Sequence, residues 1–143
     1  MMHELTFIQG GCSKDERGQI RFVNDFDMSL VKRFYIIKNA DTTLVRGWRG
    51  HRIEQRWFYV ISGYFNIKIV KINNWENPNP LSPIQKVDLK GEEMKVFNVP
   101  PGYATAFVAV EPNSELLVYS DYPLSHAVLD NYVWPADYFK NGL

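Results

Sequence analysis

Four arginines fall within eleven residues, at Arg46, Arg49, Arg52 and Arg56, and one imidazole, His51, lies among them. Residues two apart on a strand share a face, so Arg49 and His51 would point the same way. Guanidiniums gathered on one face need carboxylates or an anion to meet them, and their planar fork of donors suits phosphate oxygens. Trp48, Trp57 and Tyr59, interleaved with these cations, supply flat rings on which a ligand could stack. A solvated basic edge is the competing reading for the arginines, and a structural or surface histidine the competing reading for His51. An imidazole titrates near neutral pH, which makes His51 a candidate proton acceptor. His3 and His126 lie nearer the ends and have weaker claims.

The elements that must hold these groups are strands. Short runs of β-branched and aromatic residues recur, broken by Gly, Pro, Asn and Asp. Strands are expected near Leu5–Ile8, Gln19–Phe22, Arg33–Ile37, Leu44–Trp48, Gln55–Ser62, Tyr64–Ile72, Gln85–Leu89, Lys95–Val99, Ala104–Val110 and Glu115–Tyr119. So many short strands at close spacing predict an all-β jelly-roll barrel or sandwich. Ser62-Gly63 separates two strand-like runs and reads as the turn of a hairpin. In its second arm Phe65, Ile67 and Ile69 alternate with Tyr64, Asn66 and Lys68, the pattern of a half-buried strand. Asn73 to Pro83 holds three prolines and reads as an exposed loop, and Pro100-Pro101-Gly102 as a turn. From about residue 121 a loosely ordered tail is expected, holding one short helix or wrapping the body with its aromatics.

The totals narrow the function classes. A chain of 143 residues suits one domain, spanning 1–143. Sixteen basic residues balance sixteen acidic ones, so no global field draws the protein to nucleic acid or to a charged membrane. A single cysteine, Cys12, excludes an intramolecular disulfide and fits a reducing, cytoplasmic setting. The start of the sequence lacks the pattern of a signal peptide, and its longest apolar run, Trp57 to Ile61, is far too short to span a bilayer.

Asp15-Glu-Arg17-Gly18, Arg46-Gly47-Trp48, Gly63 and Pro100-Pro-Gly102-Tyr-Ala-Thr-Ala-Phe107 occur in that order, followed by Tyr119-Ser-Asp-Tyr122. Together they resemble the dTDP-sugar cupins, namely the dTDP-4-dehydrorhamnose 3,5-epimerases and the dTDP-4-keto-6-deoxyglucose 3,4-ketoisomerases. The likeness runs from about Asp15 to Phe139. Lys32-Arg-Phe-Tyr-Ile36 and Arg46-Gly-Trp-Arg-Gly-His51 are closer to the ketoisomerases, whereas Pro101-Gly-Tyr-Ala-Thr-Ala-Phe107 is closer to the epimerases.

The resemblance implies a single-domain cupin barrel, a nucleotide-sugar ligand and a homodimer built through N-terminal strands. It implies isomerisation of a 4-keto-6-deoxyhexose in deoxysugar or surface-polysaccharide biosynthesis, with no cofactor. Such a reaction needs a base, an acid and a group that holds the enolate charge. The resemblance gives His51 as base, Tyr119 as acid and Arg56 as the cation near the reacting oxygen. It gives Arg17 and Arg46 as diphosphate ligands, with Arg49, Tyr122 and Thr105 completing the substrate-binding set. In an exchanged dimer Arg17 would serve the neighbour's pocket. Core or rim packing is the competing reading for both tyrosines. Where metal-binding cupins carry their ligands, this chain has Arg49, His51, Arg56 and Thr105, a set in which two guanidiniums would repel a divalent cation. Arg49 also occupies the position of the epimerases' basic histidine. A guanidinium cannot accept a proton near neutral pH, which opens the alternative of a sugar-nucleotide-binding cupin without catalysis.

Overall fold

The computed structural model describes residues 4–140, and His3 therefore lies outside the described residues. The strands are β1 (Thr6–Gln9), β2 (Gly11–Asp15), β3 (Gly18–Phe22), β4 (Arg33–Ile37), β5 (Val45–His51) and β6 (Arg56–Ser62). They continue with β7 (Tyr64–Lys71), β8 (Gln85–Lys90), β9 (Lys95–Val99), β10 (Tyr103–Ala109), β11 (Glu115–Ser120) and β12 (Tyr132–Val133). Two antiparallel sheets, ordered β1-β9-β6-β11-β4 and β12-β5-β10-β7-β8, pack face to face, and β2 and β3 form a separate ribbon. This is the expected all-β jelly roll.

Alternation along each strand builds two cores. Between the sheets lie Phe58 and Val60 of β6, Phe65, Ile67 and Ile69 of β7, and Leu116 and Val118 of β11, with Phe97 and Phe107. The opposite face of the second sheet buries Trp48, Val70, Ile72, Ala104 and Ala106, and Phe139 closes it from the C-terminal side. Burying one such side chain stabilises the fold by roughly 1.5–3 kcal/mol. Strands covered on both faces read as continuous apolar runs, which is why β7 carries Val70 as well as its alternating inner row.

The turn at Ser62-Gly63 differs from the expected hairpin. β6 pairs with β9 and β11, while β7 pairs with β8 and β10. The chain therefore turns a corner from one sheet to the other. Gly63 takes φ 86°, and a side chain there would collide with Ser114. Ser114 Oγ accepts the Tyr64 amide at 3.0 Å and donates to the Glu111 carbonyl at 2.7 Å, pinning the corner.

After β11 the chain forms a 3-10 helix, Leu124–Asp130, then β12 on the edge of the second sheet, and further on Phe139 is fully buried. Tyr138 Oη donates to the Pro78 carbonyl at 2.5 Å, and the Lys140 amide donates to the Pro80 carbonyl at 2.8 Å. The proline-rich loop is thus tied to this segment.

Candidate active site

One mouth of the barrel opens into a cavity of about 760 Å³. Inward-facing positions build it. β4 contributes Arg33, Tyr35 and Ile37, β5 contributes Arg49 and His51, and β6 contributes Arg56. Glu54 comes from the turn between β5 and β6, and Leu124, Ala127 and Val128 of the 3-10 helix form the outer wall. Five cationic side chains, Arg33, Lys38, Arg46, Arg49 and Arg56, line this space with one carboxylate, Glu54. In a chain with no net charge, that is a strong local imbalance.

The turn between β5 and β6 is held from below by Asp130. Its carboxylate accepts the backbone amides of Arg52 (2.8 Å), Ile53 (3.0 Å) and Glu54 (2.7 Å). Its backbone carbonyl lies 2.7 Å from His51 Nδ1. A carbonyl can only accept, so Nδ1 carries the proton and Nε2 keeps a free lone pair. His51 is 7% exposed. Burial, then the charges of Arg56, Arg49 and Arg33, push its pKa down to about 3, against the opposing pull of the Asp130 hydrogen bond. Near neutral pH this imidazole is therefore uncharged.

Arg56 is buried, donates from Nη2 to Thr105 Oγ1 at 3.0 Å and lies 5.1 Å from the Phe58 ring centre. Arg33 donates from Nε to the Tyr122 carbonyl at 3.0 Å and approaches Glu54 Oε1 at 3.5 Å. Glu54 is 2% exposed, its Oε1 lies 4.0 Å from His51 Nδ1, and its Oε2 has no hydrogen-bond partner. Burial raises its pKa, with Arg56, Arg33 and the Ser120 hydroxyl opposing. A base pushed down beside an acid pushed up is a pattern found at proton-transfer sites.

Of the candidate residues, His51, Arg56, Arg46 and Arg49 meet in this cavity. Thr105 is buried behind Arg56 and orients it. Three candidates lie elsewhere. Inward positions on β11 are Leu116, Val118 and Ser120, so Tyr119 faces the outside of the first sheet, where its ring meets Phe26 at 5.3 Å and Phe34 at 6.4 Å. Tyr122 touches the site only through its carbonyl, and its ring packs against His126 at 5.9 Å. Arg17 sits at the tip of the β2–β3 ribbon, exposed and paired with Asp15 at 2.6 Å. Among the interleaved groups, Arg52 turns to the Trp75 ring, 6.0 Å away, and Trp57 packs against Phe26 on the outer face.

Sequence reasoning missed Arg33, Tyr35 and Glu54. Arg33 and Tyr35 share the inner row of a regular strand, and Glu54 is the lone acid inside the arginine cluster. Both signals are visible in the sequence.

No protein-family model matches the sequence, and none of the curated proteins does. Solved structures do. A dTDP-4-dehydrorhamnose 3,5-epimerase from Sulfolobus tokodaii is 17% identical, with a TM-score of 0.75 over 97% of this chain and 81% of that one. A dTDP sugar isomerase from Desulfovibrio desulfuricans is 15% identical, with a TM-score of 0.75 over 95% of this chain and 88% of that one. A sugar 3,4-ketoisomerase from Thermoanaerobacterium thermosaccharolyticum in complex with TDP is 17% identical, with a TM-score of 0.71 over 97% and 94%. At such identities the likeness bears on architecture, and it establishes that this chain has the cupin jelly-roll fold on which those sugar-nucleotide isomerases and epimerases are built.

Proposed function

We propose that this protein isomerises or epimerises a nucleoside-diphosphate 4-keto-6-deoxyhexose, with dTDP as the nucleotide, in deoxysugar or surface-polysaccharide biosynthesis. The observation that carries the reading is the barrel mouth where five cations and a neutral imidazole face one carboxylate. The three similar structures, a dTDP-4-dehydrorhamnose 3,5-epimerase, a dTDP sugar isomerase and a sugar 3,4-ketoisomerase in complex with TDP, support the same substrate class. Arg46 and Arg49 bind the diphosphate. His51 Nε2 takes the proton α to the keto group, and the C–H electron pair moves onto the carbonyl oxygen, where Arg56 stabilises the enolate. Nε2 then returns the proton to carbon.

At the positions of a cupin metal set stand one imidazole, two guanidiniums and a hydroxyl, a donor set unsuited to a divalent cation. Catalysis in this reading uses side chains alone. Incubation with dTDP-4-keto-6-deoxyglucose in heavy water tests it. Deuterium entering a ring carbon, absent with His51→Gln, is the expected result, and no uptake above the buffer control counts against catalysis.

Arg49 lining the pocket favours one other reading, a cupin that binds the sugar nucleotide without turning it over. That reading predicts dTDP binding with no deuterium uptake in the wild type, and uptake appearing in Arg49→His.

We also infer a cytoplasmic homodimer. No helix among the described residues is long and apolar enough to cross a membrane. The outer face of the first sheet exposes Phe34 and Ile36 on its edge strand β4, an apolar surface suited to a second copy of the chain. Arg17 then reaches the neighbour's pocket. Light scattering that finds only monomer removes this part.

A further inference from the structure

We propose that the pocket arms its own base: His51 is unfit to accept a proton while the guanidiniums around it are uncompensated, and a bound diphosphate makes it competent by answering their charge, with Glu54 as the positioning residue for the imidazolium that forms. This rests on the sugar-nucleotide reading and narrows it, because the substrate must bring the charge that switches the site on. A free sugar, even one that fits the cavity, leaves the base silent.

The geometry supports each part. Arg33 on β4, Arg49 on the histidine's own strand and Arg56 on β6 enclose His51 from three strands. Tyr103 stands opposite it in the β5–β10 register, and Tyr35 lines the same cavity. Two carboxylates lie on its Nδ1 side, Asp130 Oδ2 at 3.8 Å and Glu54 Oε1 at 4.0 Å. The Asp130 carboxylate already accepts three backbone amides. Glu54 is different, because its Oε2 is buried with no hydrogen-bond partner while Oε1 faces Arg33 and the imidazole. Its carboxylate, shared with Arg33 but holding no backbone amide, is the one placed to answer a proton arriving on His51.

The cost of protonation has the same origin. Burial and three nearby cations hold His51 down to about 3, where an imidazole is too weak a base to remove a carbon-bound proton with useful efficiency. A diphosphate against Arg46 and Arg49 places negative charge beside those cations and lifts that penalty. Opposite charge within about 4–6 Å moves a titration by about 1–3 pH units.

The test follows His51 by nitrogen-15 NMR of the full chain with labelled histidine, over a range of pH, with the His51→Gln spectrum assigning the signal. Four samples are compared: protein alone, with inorganic pyrophosphate, with dTDP and with uncharged thymidine. Binding is measured by calorimetry on the same samples. The expected result is a rise of the His51 midpoint by at least about one pH unit with dTDP and with pyrophosphate, and no rise with thymidine. If dTDP binds and the midpoint stays put, this inference is overturned and the ligand reading survives. If dTDP does not bind, the ligand reading itself falls.

Two variants sharpen the outcome. Arg49→Gln raises the midpoint of the protein alone measurably, by less than the rise dTDP brings, and Glu54→Gln lowers that of the dTDP-bound protein by about one unit. An Arg49→Gln protein that folds and leaves the midpoint unmoved overturns the role given to the guanidiniums. A Glu54→Gln protein that binds dTDP with an unchanged midpoint overturns the role given to Glu54.

Discussion

Asp130 offers the most decisive single perturbation, because one side chain holds the turn that carries Glu54 and one backbone carbonyl of the same residue orients His51. Asp130→Ala removes three hydrogen bonds to a buried carboxylate. Leaving a buried amide unpaired costs about 1–3 kcal/mol, and bonds to a charged acceptor lie at the upper end. The amides of Arg52 and Ile53 are only partly buried and can recruit water, whereas that of Glu54 is fully buried. The expected loss is about 3–4 kcal/mol, a fall in Tm of about 10–15 °C for a chain of this size. Urea unfolding followed by circular dichroism measures it, with an unchanged m-value showing that the same surface is exposed. Asp130→Asn keeps one acceptor oxygen and falls between the two. A loss below about 1 kcal/mol in the alanine variant would refute the reasoning, because the turn would then be held by something else. The same variant is expected to weaken dTDP binding, since Arg49, His51 and Glu54 share the loosened segment.

Three further outcomes are expected. His51 binds its proton far more readily in the unfolded chain than in the fold, so the stability it contributes is complete above about pH 6.5 and is lost as pH falls towards about 3. At pH 5 this amounts to about 2 kcal/mol, and His51→Gln is expected to flatten that part of a stability-against-pH curve. Gly63→Ala forces a side chain into a positive-φ corner against Ser114 and is expected to cost at least about 2 kcal/mol in chemical denaturation. Tyr119→Phe removes a hydroxyl from the outer face of the sheet and is expected to leave deuterium uptake within about twofold, whereas a tenfold drop would mean that the phenol reaches the reacting centre after all.

The strands were legible because their alternation is local. Arg33–Ile37 and Lys95–Val99 are found at the expected bounds, and most others shift by one to three residues at an end. β2 was missed because Gly11-Cys-Ser-Lys-Asp15 carries no apolar row, and β12 because two residues are too few for a pattern. The corner at Gly63 read as a hairpin since a tight turn between two strands looks the same in sequence whether the strands pair or part. At the site, spacing placed Arg49 with His51 and Arg56, three groups that alternation puts on inner faces. It misled at Tyr119 because Leu116-Leu-Val-Tyr119 is apolar on both sides, so nothing in the run says which side faces in. The role of Asp130 was not legible at all, since its partners lie some 76 to 79 positions away.

β4 is an edge strand with two different audiences. Its inner row, Arg33 and Tyr35, touches whatever fills the cavity, and its outer row shows Phe34, 63% exposed, and Ile36, 49% exposed, to whatever sits outside. Bonded to a neighbour along one side only, it is the wall most easily tilted. A substitution at Phe34, which does not line the cavity, therefore adjusts how firmly a ligand is gripped without any of its atoms meeting it, and a screen for altered affinity that samples only cavity-lining positions would overlook it.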